Sequence, residues 1–458
     1  LLSVMKRYKL LLINPGGKDF RHNKFYEPIE LGIVASLVTA PNWEVKIVDL
    51  RFEDTDLPEA DIVALSSRII DINTTYEIIR HYKTKGIKTV IGGTHATLCP
   101  DEAQKYADVV VIGEAEGVLM QILKDFENGT LKKIYKGCTD LKYTVNRNYY
   151  KHYYKTATLQ LSRGCPLACD FCCVGKIHNR THRYRDFKDV VSEIKKTKQK
   201  LLFFTDENMY GFSSKNRETV LSFFNEMITQ KVNKHWIGMA SINAGIDDEF
   251  LSLARKSGCI MLLIGFEAIE EDTLTSINKK LNAKLIHDYD KIIKNIHKHR
   301  ISVCGAFMLG LPTDTESVIK KRTEFIIKSK IDVFFVTMFT PFPGSKLFDD
   351  LQQENKIIYN NYPQDWDYYN QNMPVYTNDH INNMRDLFLK CQNDIRQPKI
   401  LRKRFLMTLF ETRSLSCALY SNYYNFNHFR AFDRVKSLRI INNLFERYQK
   451  WIYKKSKV

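Results

Sequence analysis

The chain has 458 residues, too many for one small hydrophobic core, so two or three domains are expected. Hydrophobic residues make up 44% and charged residues 26%, as in folded proteins, and no run reaches the ~20 apolar residues of a membrane-spanning helix. The net charge of +17 is uneven, because residues 396–458 hold fifteen Lys and Arg against three acids.

The first 128 residues alternate short apolar runs with helical patterns. KLLLIN (9–14), VKIVDL (45–50), DIVALS (61–66), KTVIGG (88–93) and DVVVIG (108–113) read as strands, with helices near 30–39, 73–85, 101–106 and 116–125. Five strands alternating with helices predict a doubly wound, flavodoxin-like α/β domain over 1–128, with ligands beyond the carboxyl ends of its strands. The loops at those ends carry Asn14, Ser66, Ser67, Gly92, Gly93, His95, Gly113, Glu114 and Glu116. Glycines there either let backbone approach a large ligand or simply make tight turns. Residues 129–156 read as a linker with a short extended piece.

From 157 the alternation resumes. TLQLS (158–162), LLFFT (201–205), WIGMA (236–240), IMLLIGF (260–266), SVCGAFML (302–309) and DVFFVTMF (332–339) are the expected strands. Helical stretches near 186–197, 217–228, 248–257, 284–299 and 315–328 separate them. Six units predict a partial (β/α)6 barrel over 157–348, with chemistry at the carboxyl ends of its strands. Residues 349–458 read as a helical region, basic and rich in aromatics such as Phe405, Phe410, Tyr423, Tyr424, Phe429, Trp451 and Tyr453. That composition suits a solvated tail, an anionic membrane surface or the cover of a hydrophobic substrate.

Ten cysteines are too sparse for a secreted disulfide scaffold, and four of them crowd into RGCPLACDFCCVGK (163–176). The amino-terminal stretch has no small-residue cleavage site, so the cluster points to a metal site in a reducing compartment, with the cytoplasm as the expected location. Cys165, Cys169 and Cys172 follow a Cys-x3-Cys-x2-Cys spacing just after the first barrel strand. Three thiolates can hold three irons of a cubane and leave the fourth iron open to a reacting ligand. A Cys3His zinc site using His178 or His182 is the competing reading, but a structural zinc has no reason to sit on the catalytic rim of a barrel.

With Phe171 before the last cysteine, this motif opening a partial barrel resembles the radical S-adenosylmethionine superfamily. GGTHAT (92–97) and GEAE (113–116) make the first domain similar to the cobalamin-binding module of one branch. FTDEN (204–208), ASINA (240–244), IGFEA (264–268), GLPTDT (310–315) and TPFPGSKLF (340–348) resemble that branch at equivalent strand ends. Hopanoid methylases, bacteriochlorophyll methylases and the anaerobic cyclase of chlorophyll synthesis are of this type.

The resemblance implies a [4Fe-4S] cluster on the three cysteines, S-adenosylmethionine on its open iron, and a 5′-deoxyadenosyl radical made with one electron from a flavodoxin- or ferredoxin-like donor. It implies adenine contact at Phe171 and Gly310, and methionine contact at Asp206, Glu207 and Asn208. It further implies ribose or sulfonium contact at Ser241, Asn243 and Glu267, and cobalamin at the nine loop residues of the first domain. The Asp-x-His-x-x-Gly motif of cobalt-ligating modules is absent, so His95 is expected beside the cofactor and not on cobalt. The favoured reaction is methylation of an unactivated carbon on a hydrophobic substrate; from its composition, the tail is either a solvated helical segment, a peripheral membrane contact or a cover for that substrate. The alternative is cobalamin-dependent cyclisation, rearrangement or oxidation. A nucleic-acid methylthiotransferase would need more amino-terminal cysteines than Cys99 and Cys138, and a cobalamin sensor would not need the three-cysteine motif.

Overall fold

The computed structural model describes residues 6–16, 25–52, 57–138 and 140–427. They divide into two compact units: residues 1–234 with 340–377, and residues 235–339 with 378–458.

The first unit begins with a parallel sheet of β1 (Tyr8–Asn14), β2 (Trp43–Asp49), β3 (Ile62–Ser66), β4 (Lys88–Gly92), β5 (Val109–Gly113) and β6 (Ile134–Gly137). Its order is β2-β1-β3-β4-β5-β6. Leu10 to Ile13 are all buried, the unbroken apolar run of a central strand covered on both faces. Helices cover it with their apolar stripes, as Leu119, Ile122 and Leu123 do from Leu119–Glu127. The order reverses direction between β1 and β3, the switch point beyond which ligands of doubly wound sheets bind, next to Asn14 and Ser66.

The short extended piece expected within 129–156 is a sixth strand, β6, paired with β5 from Val110↔Ile134 to Gly113↔Gly137. The tyrosines after it are anchors. Tyr143 and Tyr154 are buried, and the Tyr154 hydroxyl donates to Asp49 at 2.7 Å. Arg147 joins buried Glu27 to buried Glu193, each at 2.9 Å.

The same unit holds β7 (Thr156–Leu159), β8 (Ser162–Arg163), β9 (Arg183–Tyr184) and β10 (Leu201–Phe204). β7 and β10 pair in parallel, while β8 and β9 pair antiparallel and close the neck of the 164–182 loop. Gly164 sits in that neck at φ +87°, where a Cβ would collide with the Thr181 carbonyl.

The second unit carries β11 (His235–Ala240), β12 (Cys259–Glu267), β13 (Ser302–Leu309) and β14 (Val333–Met338), each parallel to the next. All six expected barrel strands are therefore present, two in the first unit and four in the second. Helices Met384–Ile395, Pro398–Thr412 and Leu415–Asn427 follow. Asp332, fully buried, ties β13 and the helical region together, taking His297 and the Val303 N–H at 2.7 Å and the Thr408 hydroxyl at 2.6 Å. The residues beyond Asn427, with Phe429, Trp451 and Tyr453 of the expected aromatic tail, lie outside the described residues.

Candidate functional site

At the carboxyl ends of β1 and β3, Asn14 donates to Asp49 at 3.2 Å and accepts from the Gly16 N–H at 3.3 Å. Ser67 is buried and donates through N–H and hydroxyl to the Gly92 carbonyl at 3.0 and 3.2 Å, while Ser66 is half-buried. The glycines divide by role. Gly93 has φ +94°, and a Cβ there would lie 2.6 Å from the Ser67 carbonyl oxygen. Gly113 has φ +84°, and its Cβ would lie 2.4 Å from the Gly137 carbonyl oxygen. Both are glycine because protein backbone crowds them. Gly92 meets nothing closer than Val111 at 3.7 Å, so it alone among these three has room on its side-chain face.

His95 is fully buried in a polar knot. Its Nε2 lies 3.0 Å from Glu102, Tyr76 donates to Glu102 at 2.8 Å, and the Trp366 indole N–H donates to Glu102 at 2.9 Å. Burial works to raise the Glu102 carboxyl, but these donors outweigh it and hold it below the usual range. Among the described residues, His95 Nδ1 has no hydrogen-bond partner.

The cysteine loop hangs from the β8–β9 neck. Cys165, Cys169 and Cys172 are all half-buried, and the Cys172 N–H donates to the Cys169 carbonyl at 3.1 Å in a tight turn. Cys173 sits at the N-terminal boundary of the short helix Val174–Ile177 and makes no side-chain capping bond there. Burial, with the negative charge of Cys173, Cys169 and Cys165 close by, pushes the Cys172 thiol up to about 12. Sulfurs near enough to oppose one another's ionisation are a donor set that a cationic cluster relieves. No group of three or more His, Cys, Asp or Glu among the described residues is placed to hold a metal ion; a cubane spreads its thiolates over three irons. The loop is braced by TPFPGSKLF, whose Leu347 N–H donates to Asp170 at 2.9 Å. Gly344, at φ +82°, fits between Leu98 and Lys176.

Glu114 and Glu116, expected at cobalamin, are bound to arginines from the neck of this loop. Arg163 pairs with Glu116 at 2.5 Å and with Glu114 at 3.2 Å, and Arg183 pairs with Glu114 at 2.6 Å. His178 lies 3.7 Å from Glu114 and 3.4 Å from Glu207. The first domain and the cysteine loop thus share one ionic clamp. His182, the other expected zinc alternative, faces Ser162 at 3.2 Å and Tyr184 at 3.4 Å.

The three acidic and amide groups after β10 diverge. Asp206 is fully buried and accepts from the Leu161 and Ser162 N–H groups and the Ser162 hydroxyl, so it braces the chain before the loop. Glu207 accepts from the Gly164 N–H at 2.9 Å and keeps 23% side-chain exposure. Burial works against its charge, yet the His178 contact prevails and lowers its carboxyl. Asn208 is buried and accepts from the Tyr210 N–H at 3.1 Å. Phe171 is half-buried in the loop.

In the second unit, Ser241 donates to Asn243 at 2.6 Å at the end of β11. Glu267 ends β12 at φ +65° and pairs with Lys279 at 2.9 Å. Gly310 ends β13 at φ +82°, donates to Asp314 at 2.9 Å, and leaves room for the Met384 sulfur.

The clamp arginines were missed because Arg163 and Arg183 look like ordinary loop charges. Their position at both ends of the cysteine loop was the available signal. Trp366 was missed because nothing local ties it to Glu102, 264 positions earlier.

Residues 159–326 match the family model of the Radical SAM superfamily, and residues 23–123 match that of the B12 binding domain. Among curated proteins, the chain is similar to bacteriochlorophyllide d C-12(1)-methyltransferase of Chlorobaculum tepidum, 27% identical over 86% of this chain and 90% of that one. It is also similar to bacteriochlorophyllide d C-8(2)-methyltransferase of the same organism, 28% identical over 74% and 78%. Among solved structures, the cobalamin-dependent S-adenosylmethionine radical enzyme OxsB with aqua-cobalamin bound superposes with a TM-score of 0.64 at 13% identity, covering 97% of this chain and 76% of OxsB. That likeness speaks to the fold.

Proposed function

Because this chain is a radical S-adenosylmethionine enzyme with a B12-binding domain, we propose that it methylates an unactivated carbon of a hydrophobic small molecule, with tetrapyrroles as the first class to try. When bound, the [4Fe-4S] cluster, S-adenosylmethionine and cobalamin supply the adenosyl radical and the methyl group. The observation that carries the reading is the ionic clamp of Arg163 and Arg183 on Glu114 and Glu116. It fixes the cysteine loop to the domain that matches B12 binding, and a radical and a methyl donor must meet at one substrate carbon.

The chain's own residues divide the work. Cys165, Cys169 and Cys172 would hold the cluster, which supplies the electron for S-adenosylmethionine cleavage. Glu207 and Asn208 receive the methionine ammonium, and Asp206 braces the strand end behind them. Phe171, Ser241, Asn243, Glu267 and Gly310 serve the rest of S-adenosylmethionine. Asn14, Ser66 and Gly92 would line the cobalamin crevice, with the buried Ser67 and His95 supporting its wall from behind. Gly93, Gly113, Glu114 and Glu116 shape and fasten its rim. The enzyme works in the cytoplasm with a flavodoxin- or ferredoxin-like reductant.

The test is anaerobic reconstitution with iron, sulfide and cobalamin, then turnover with S-adenosylmethionine and candidate tetrapyrroles. The reading expects a product one methyl group heavier, with both 5′-deoxyadenosine and S-adenosylhomocysteine. A product that is cyclised or oxidised without a new methyl group overturns methylation and supports the cyclisation alternative.

A further inference from the structure

We infer that helix Pro398–Thr412 is a docking element that seats this protein on an anionic lipid bilayer. Its exposed side chains after Pro398 are Lys399, Arg402, Lys403, Leu406 and Phe410. At 3.6 residues per turn these five fall within an arc of roughly 100°. Leu406 is 52% exposed and Phe410 73%, and Leu415, at the start of the next helix, is 57% exposed. No acid shares the stripe among the described residues, and the helix's one acid, Glu411, is drawn aside to Lys330.

The helix cannot roll to hide this face. Leu401, Arg404, Thr408 and Thr412 are buried on the other side. Arg404 donates to the carbonyls of Ile326, Ile327, Ser329 and Ile331, and so satisfies the orphan end of helix Glu316–Lys328. Thr408 is bonded to Asp332. Beside the stripe lies a groove of about 470 Å³. Lys328, Lys399 and Lys403 rim it over Ile327, Ile400 and Met407, with one acid, Asp394.

Charge complementarity names the occupant. Lysines and an arginine at one end of the stripe suit lipid phosphates, and leucine and phenylalanine at the other end suit the acyl boundary. A nucleic-acid backbone would use the cations but has no place for Leu406 and Leu415. The inference is independent of the reaction proposed above.

Full-length protein is sedimented with vesicles of phosphatidylcholine alone or containing a quarter phosphatidylglycerol. Binding is expected only to the anionic vesicles and is lost in high salt, because surface charge attraction is screened over ~3 Å at 1 M. The L406S/F410S and K399E/K403E pairs should each weaken binding by about tenfold or more, with melting temperature and cofactor content unchanged. Equal binding to both vesicle types, unaltered binding by either variant, or a dimer that F410S dissociates would overturn the inference.

Discussion

Arg163 and Glu116 face each other at 2.5 Å with side chains only 10% and 9% exposed. Arg163 also pairs with Glu114 and lies over the Tyr143 ring, 5.2 Å from its centroid. Removing one partner from a buried pair strands the other charge, which costs roughly 3–5 kcal/mol. Arg163→Met should therefore lower unfolding free energy by about that much in urea titration. A loss under about 1 kcal/mol would mean that the pair is solvated and does not clamp the cysteine loop.

The crevice glycines should separate in two measurements. Gly93→Ala places a Cβ 2.6 Å from a backbone oxygen at positive φ and should destabilise the cofactor-free protein by roughly 1–3 kcal/mol. Gly92→Ala meets nothing closer than 3.7 Å and should leave melting unchanged while weakening cobalamin binding in equilibrium dialysis. Unchanged affinity in the second variant would remove Gly92 from the crevice lining.

Burial pushes the Asp206 carboxyl up to about 7, against the pull of its Ser162 and Leu161 donors. An unfolded aspartate titrates near ~3.9, so between that pH and about 7 the folded chain keeps a proton that the unfolded chain has released. The contribution of Asp206 to stability is full below pH ~4 and is lost as pH rises toward 7. Stability of the wild type relative to Asp206→Asn should therefore fall across this window. A difference that stays flat, or that rises with pH, would contradict the burial argument.

Trp366 donates to Glu102 inside the His95 knot. Trp366→Phe keeps an aromatic ring but deletes the donor to the partly buried Glu102 carboxylate, and should cost about 1 kcal/mol. Thermal melting checks this, with His95→Gln as a second probe of the same network.

Much of this architecture is legible in the chain. Unbroken apolar runs such as Leu10–Ile13 mark buried parallel strands, and the spacing of Cys165, Cys169 and Cys172 marks the loop proposed to hold the cluster. β6 was harder to see because Ile134–Gly137 has one buried residue, Tyr135, and derives its strand character from pairing with β5. The two-residue strands β8 and β9 carry no periodicity at all. Site residues were least legible where a polar group turns inward. Asp206, Glu114 and Glu116 have the residue types of ligand contacts, but their partners Ser162, Arg163 and Arg183 become neighbours only when the cysteine loop folds back on its neck.

The most direct measurement is iron content and electron paramagnetic resonance of anaerobically purified, dithionite-reduced protein, with and without S-adenosylmethionine. Four irons per chain and a reduced-cluster signal that changes on adding S-adenosylmethionine are expected, both abolished when Cys165, Cys169 and Cys172 become alanine. Zinc in place of iron, or a cluster signal that survives the triple substitution, would contradict the account.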